Sequence, residues 1–130
     1  MALSIVRLGS PRAAGEGVRI GTVRRPPRGV PKAEFAARDF YDSWLPQLAP
    51  SAELVTRALH AETDKEWAGF VQDYKREMAA PDNRHLIALL ATLSQTSDLA
   101  VGCYCANEAR CHRSVLRELL VEAGADLSVG

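Results

Sequence analysis

The residues able to do chemistry crowd into one short stretch. Cys103-Tyr104-Cys105-Ala106-Asn107-Glu108-Ala109-Arg110-Cys111-His112-Arg113 holds all three cysteines, one of the three histidines and two arginines. The apolar run Leu99–Tyr104 reads as a buried strand, on which Cys103 and Cys105 share a face with Leu99 and Val101. Cys103, inside the run, reads as a small buried hydrophobe. Cys105, where the strand should end, and Cys111, just before the next helix, read instead as reactive thiols. A helix N-terminus with Arg110, His112 and Arg113 beside it lowers a thiol's pKa and enlarges the thiolate fraction. His112 adds a group that titrates near neutral pH, or else is a surface residue capping the backbone.

Three chemistries fit these residue types. Zinc would draw on Cys103, Cys105, Cys111 and His112, but the spacing is poor: one thiol belongs to a strand core, and Cys111 and His112 are consecutive and diverge if both are helical. The expectation is therefore no metal. A cysteine-dependent phosphatase loop needs an arginine six residues after its cysteine, whereas Ala109 follows Cys103 and Cys111 follows Cys105 at that distance. What remains is an anion site in which loop amides, the helix dipole, Arg110 and Arg113 hold a negative group near a thiol.

The elements that must position this stretch are legible from spacing. Ser4–Leu8 and Val18–Val23 read as strands, neighbours in one sheet, joined by the Pro-, Gly- and Ala-rich segment 10–17. Arg24-Arg25-Pro26-Pro27-Arg28-Gly29-Val30-Pro31 leaves the sheet as a loop, since prolines remove ladder donors. Ser51 caps a helix over 52–60. Thr63 and Glu66 form a capping box ahead of Trp67, Phe70, Val71, Tyr74 and Met78 on one helical face. After Pro81, Asp82 or Asn83 caps a helix carrying Leu86, Leu89, Leu90 and Leu93. The last helix, starting near Cys111, turns Val115, Leu116, Leu119, Leu120 and Ala123 inward and Arg113, Arg117, Glu118 and Glu122 outward, and Gly124 ends it. Trp67, Phe70, Leu89, Leu90, Leu116 and Leu120 are the expected core. Helix, buried strand, helix is an α/β pattern, giving a mostly parallel sheet of three to four strands flanked by helices in one small domain over 1–130.

At 130 residues, with 47% apolar and 25% charged side chains, the composition is that of an ordinary globular domain. No apolar run approaches the roughly 18 residues of a membrane span, and the start lacks the features of a secretory signal. Clustered, odd-numbered cysteines argue for a site or reduced thiols rather than a disulfide framework, so a cytoplasmic location is expected. The zero net charge conceals a basic first quarter. Arg7, Arg12, Arg19, Arg24, Arg25, Arg28 and Lys32 stand there against Glu16 and Glu34. Such a segment meets an anion or a nucleic-acid backbone, or is simply a solvated loop; no aromatics interleave with the arginines as single-strand stacking would want.

Arg24-Arg25-Pro26-Pro27-Arg28-Gly29, the segment Tyr41-Asp42-Ser43-Trp44-Leu45-Pro46-Gln47-Leu48-Ala49-Pro50-Ser51 and Cys111-His112-Arg113-Ser114-Val115-Leu116 resemble the family named domain of unknown function 488, near its YeaO-like branch. The basic motif matches in part: the branch reads Asp-Arg-Leu-Trp-Pro-Arg-Gly, with Val23 here in place of the acid and Pro26 in place of the tryptophan. Arg24, Pro27, Arg28 and Gly29, and Cys111, His112 and Arg113, are the residues the resemblance carries over. It implies a compact α/β fold and a cytoplasmic location, and it brings no reaction and no cofactor with it.

The leading functional expectation is binding of a small anionic ligand, a phosphate or nucleotide, at the strand-loop-helix turn. Cys111, Cys105 and His112 are its candidate catalytic groups, and Arg24, Arg28, Arg110 and Arg113 its candidate ligand-binding groups. In a parallel sheet the arginine loop and the cysteine turn leave at the same edge, so Arg24 or Arg28 should lie close to Cys105, Cys111 or Arg113. The alternative is an accessory module that binds nucleic acid or protein through the arginine loop without catalysis. A third reading is structural, with the arginines paired to Asp39, Asp42 and Glu108.

Overall fold

A computed structural model describes residues 2–105 and 110–127. Four strands, β1 (Leu3–Arg7), β2 (Val18–Gly21), β3 (Ser43–Trp44) and β4 (Leu99–Cys103), form one sheet in the order β1-β4-β2-β3, with every pair parallel. Helices α1 (Ala52–His60), α2 (Asp64–Met78), α3 (Pro81–Ser94) and α4 (His112–Glu122) complete an α/β fold.

The expectation that β1 and β2 are neighbours is corrected: β4 lies between them, pairing Leu3 with Leu99 on one side and Val18 with Leu99 on the other. Two parallel strands cannot be closed by a tight hairpin, so the link after β1 crosses over and leaves a slot between them. The most apolar strand fills it, and all five β4 residues are buried. Gly102 is required there, because a Cβ at that position would lie 2.5 Å from the Val6 carbonyl oxygen of β1.

The Ser51 cap and the Thr63–Glu66 capping box form as their sequence dictates, the Ser51 hydroxyl accepting from Leu54 and the Thr63 hydroxyl from Glu66. The start of α3 differs. Pro81 begins it rather than breaking the chain, Ala80 is the N-cap, and Asp82 and Asn83 fall inside the first turn. Proline has no N–H to lose there and already holds a helical φ. The Asn83 amide instead donates to the Glu77 carbonyl at 3.1 Å, which ties α3 to α2.

Leu3, Leu99 and Val101 of the sheet meet Leu54, Phe70, Tyr74, Met78, Ile87, Leu90, Val115, Leu116 and Leu120 of the four helices in the main core. Four residues depart from expectation, Leu89, Leu93 and Ala123 by being exposed and Arg113 by being buried. Leu89 is 53% exposed, because α3 buries Ile87, Leu90, Ala91 and Ser94, a stripe that takes in Leu90 but not Leu89 or Leu93. Arg113, expected on the outer face of α4, is buried. A second cluster of Leu8, Val23, Tyr41, Cys103 and Cys111 sits where the strands end. Among the described residues no helix is long and apolar enough to cross a membrane.

Candidate functional site

Because the strands are parallel, the segments after β2, β3 and β4 all leave at the carboxyl edge of the sheet, where ligands of open α/β folds bind. They enclose a cavity of about 340 Å³, lined by Val23, Arg24 and Arg25 after β2, by Pro50, Ala52, Val55 and Thr56 around the start of α1, and by Cys103, Tyr104, Cys105 and His112. Its size lies in the usual range for small-molecule sites.

The floor is set by hydrogen bonds. Thr22, next after β2, donates both its N–H (3.0 Å) and its hydroxyl (3.1 Å) to the Gly102 carbonyl, locking the two strand ends together. The Thr22 carbonyl lies 2.7 Å from His112 Nε2. A carbonyl only accepts, so Nε2 carries the proton and Nδ1 is left with its lone pair, 3.7 Å from Cys111 Sγ. Burial favours the uncharged imidazole and pulls the His112 pKa down to about 4. The His112 ring meets the edge of Tyr74, whose hydroxyl donates to the Leu48 carbonyl at 2.7 Å.

Cys111 is the N-cap of α4 in an extended conformation, φ −130° and ψ 150°, while His112 opens the helix. The two side chains therefore do not fan apart as they would on a helix, and the objection from spacing does not apply to this turn. Donor atoms of Cys103, Cys111 and His112 all lie within 4.8 Å of one another. None of the three cysteines is in a disulfide.

The thiols are not equivalent. Cys105 is exposed, whereas Cys103 and Cys111 are 1% and 2% exposed. Hydrogen bonds from the Cys103 and Cys111 thiols, aided by the positive field of Arg113, hold Cys105 well below the usual thiol range. Cys103, donating to Cys105 and Cys111 and desolvated, is driven far up. For Cys111 the Cys103 thiol favours the thiolate, but Cys105 and burial outweigh it and push the pKa up to about 11. The expected low pKa at Cys111 is thus corrected: the hydrogen bond to Cys105, with burial behind it, holds the proton on this sulfur. In the native protein iodoacetamide should label Cys105 alone at an appreciable rate, with Cys103 and Cys111 modified only after unfolding. Peptide mapping by mass spectrometry reads this directly, and rapid native labelling of Cys111 would contradict it.

The predicted arginines divide. Arg24 lines the cavity, its Nε and Nη2 donating to the Pro50 (3.1 Å) and Ala49 (3.2 Å) carbonyls. Arg113 lies beneath, its Nη2 donating to the Cys105 carbonyl at 2.7 Å. Arg110 turns away to Asp64 (2.7 Å) and the face of Trp67 (5.7 Å). Arg28 is exposed and does not line the cavity. Within the basic first quarter, Arg12 pairs with Asp39 and Asp42, and Arg19 with Glu16; Glu108, the remaining proposed partner, is outside the described residues. Sequence reasoning missed Thr22, Tyr74 and the α1 wall, which carry no motif; Tyr104 and Arg25 lay within the quoted motifs but were given no role.

No curated protein and no solved structure matches the chain. A family model described as the active DUF488-N3 subclade matches residues 3–124, spanning every element described above, and the chain belongs to the DUF488 family.

Proposed function

We propose that the cavity at the carboxyl edge binds a small anionic ligand, a phosphate-bearing molecule of nucleotide type. The observation that carries this reading is the mixed make-up of the lining. Arg24 and Arg25 supply positive charge, and Val23, Val55 and Tyr104 give an apolar surface for a flat organic body. An anionic group at the arginines would place that body over Cys105, the exposed sulfur of the lining. Arg24 already spans from its own loop to the start of α1, so a guanidinium is held at the rim before any ligand arrives.

Titration calorimetry of the full chain with a nucleoside monophosphate, and separately with inorganic phosphate, tests the reading. Arg24→Ala is expected to weaken binding about 10-fold or more, the loss of one charge-assisted hydrogen bond, while Arg28→Ala leaves it unchanged. No heat with either small molecule, together with salt-sensitive binding of an oligonucleotide that Arg28→Ala weakens, would replace this reading by the accessory-module one.

A further inference from the structure

We propose that Cys103, Cys111 and His112, with Cys105 as fourth donor, form a binding site for a thiophilic divalent metal ion, zinc foremost, at the floor of the cavity. Four features of the geometry converge on this.

The first is distance. A tetrahedral zinc with Zn–S of about 2.3 Å and Zn–N of about 2.0–2.1 Å separates its sulfur and nitrogen ligands by roughly 3.6 Å. Cys111 Sγ and His112 Nδ1 stand 3.7 Å apart, and the Cys103 sulfur completes a triangle in which no donor is more than 4.8 Å from another. The three donors come from two elements, the end of β4 and the start of α4, whose relative position the sheet and core already fix. The site needs no rearrangement of the chain.

The second is orientation. Metal-bound histidines give their other ring N–H to a carbonyl or carboxylate, which fixes the tautomer. His112 does this with the Thr22 carbonyl, and Thr22 is itself held to Gly102 of β4. A histidine buried only to fill space has no need to set its lone pair beside the Cys111 thiol with a second thiol within 4.8 Å.

The third is charge. Three thiolates and one divalent ion leave a net negative centre, which a buried cation would balance. Arg113 is 4% exposed, pairs with no carboxylate among the described residues, and has an Nε without an acceptor there. Its Nη2 bonds the Cys105 carbonyl and its backbone N–H points at the Cys111 sulfur. A guanidinium so buried needs an anion close by, and the metal–thiolate centre keeps the single negative charge that the Cys105 thiolate presents to it.

The fourth is access. Cys105 is exposed and lines the cavity, so the ion enters from solvent on the Cys105 side. The sulfur-rich donor set selects zinc, or cobalt as its spectroscopic substitute, over magnesium or calcium, which take oxygen ligands. Coordination replaces the S–H of Cys103 and of Cys111 by S–metal and releases both protons to solvent, while Cys105 binds as the thiolate it already is.

The test uses the full chain, reduced and stripped of metal, titrated with Co²⁺ alone and then with Zn²⁺. Expected are one equivalent of cobalt bound, the strong visible bands of tetrahedral coordination, a near-ultraviolet sulfur-to-cobalt charge-transfer band, and displacement by zinc. Zinc should also protect Cys105 from iodoacetamide. Cys105→Ser, on the exposed side where folding is not at stake, should weaken the charge-transfer band and lower affinity about 10- to 100-fold, the range usual for loss of a supporting metal contact. Cys111→Ser and His112→Asn, checked for native circular dichroism, should abolish the tetrahedral bands. Octahedral cobalt bands, sub-stoichiometric uptake, or one-equivalent binding that survives Cys105→Ser and Cys111→Ser unchanged would overturn the proposal. The site is read with metal alone, so its failure is separable from failure of the ligand reading, which calorimetry with a nucleoside monophosphate decides.

Discussion

Arg19→Met is expected to destabilise the fold by about 3–5 kcal/mol, the range for stranding one member of a buried ion pair. Arg19 is fully buried on β2 and all three of its guanidinium nitrogens are hydrogen-bonded. Nε and Nη2 donate to the two Glu16 carboxylate oxygens at 2.8 and 2.9 Å, and Nη1 donates to the Ser10 and Asp39 carbonyls at 2.8 and 2.6 Å. Removing it strands a carboxylate with 3% side-chain exposure and takes a donor from two carbonyls. Glu16→Leu with Arg19→Met should cost less than the two single changes added, because no charge is left unpaired. The pH dependence has a definite sign. The Arg19 hydrogen bond holds the Glu16 pKa below its ordinary value of 4.5, so the pair's contribution is complete above that value and is lost as pH falls through the lower, folded pKa. In Arg19→Met the carboxyl is desolvated without a partner, its pKa rises, and protonation relieves the strain. Urea melts at several pH values should show the gap between wild type and variant widest above about pH 5 and narrowing on acidification. A gap that is constant, or below about 1 kcal/mol at neutral pH, would mean the pair is not the clamp it resembles.

Leu116→Ala should cost about 2–5 kcal/mol, from lost burial and the cavity left behind. Leu116 is fully buried one turn into α4, between the sheet and the helix layer. Leu89→Ala, on the exposed side of α3, should change stability by less than about 0.5 kcal/mol. The contrast matters for the site, since α4 carries His112 and Arg113 and any loosening of its packing moves both. A Leu116→Ala cost as small as that of Leu89→Ala would show α4 to be undocked.

Local signals carried most of the fold. Ser51 and the Thr63–Glu66 pair are self-contained instructions, satisfied within three residues of themselves, and the structure executes both. The buried strand Leu99–Cys103 was plain from its unbroken apolar run. Strand order was not, because the pairing of β4 with both β1 and β2 joins residues about 80 to 100 positions apart and nothing in β1 or β2 alone names its neighbour. Arg113 shows a different limit: helical spacing put it outside, yet its place at the first turn, over the strand ends, leaves the guanidinium bonding the Cys105 carbonyl. The site followed the same division. The cysteine turn was visible as a cluster of residue types, but the conformation of Cys111, extended rather than helical, decides whether Cys111 and His112 converge, and that depends on the cap. Among the arginines, Arg24 and Arg110 look alike in sequence. Only the α1 wall and Asp64, brought in from elsewhere in the chain, separate the one that lines the cavity from the one that does not.

The central claim is that ligand binds in the carboxyl-edge cavity and not along the basic loop. Amide chemical-shift mapping of the ¹⁵N-labelled full chain during titration with a nucleoside monophosphate tests it most directly. The account predicts saturable shifts concentrated at Val23, Arg24, Arg25, Ala52, Val55, Thr56, Cys103, Tyr104, Cys105 and His112, which line the cavity. Shifts confined to Arg28, Val30 and Lys32 on the loop beyond it, with Val55 and Tyr104 unmoved, would contradict it.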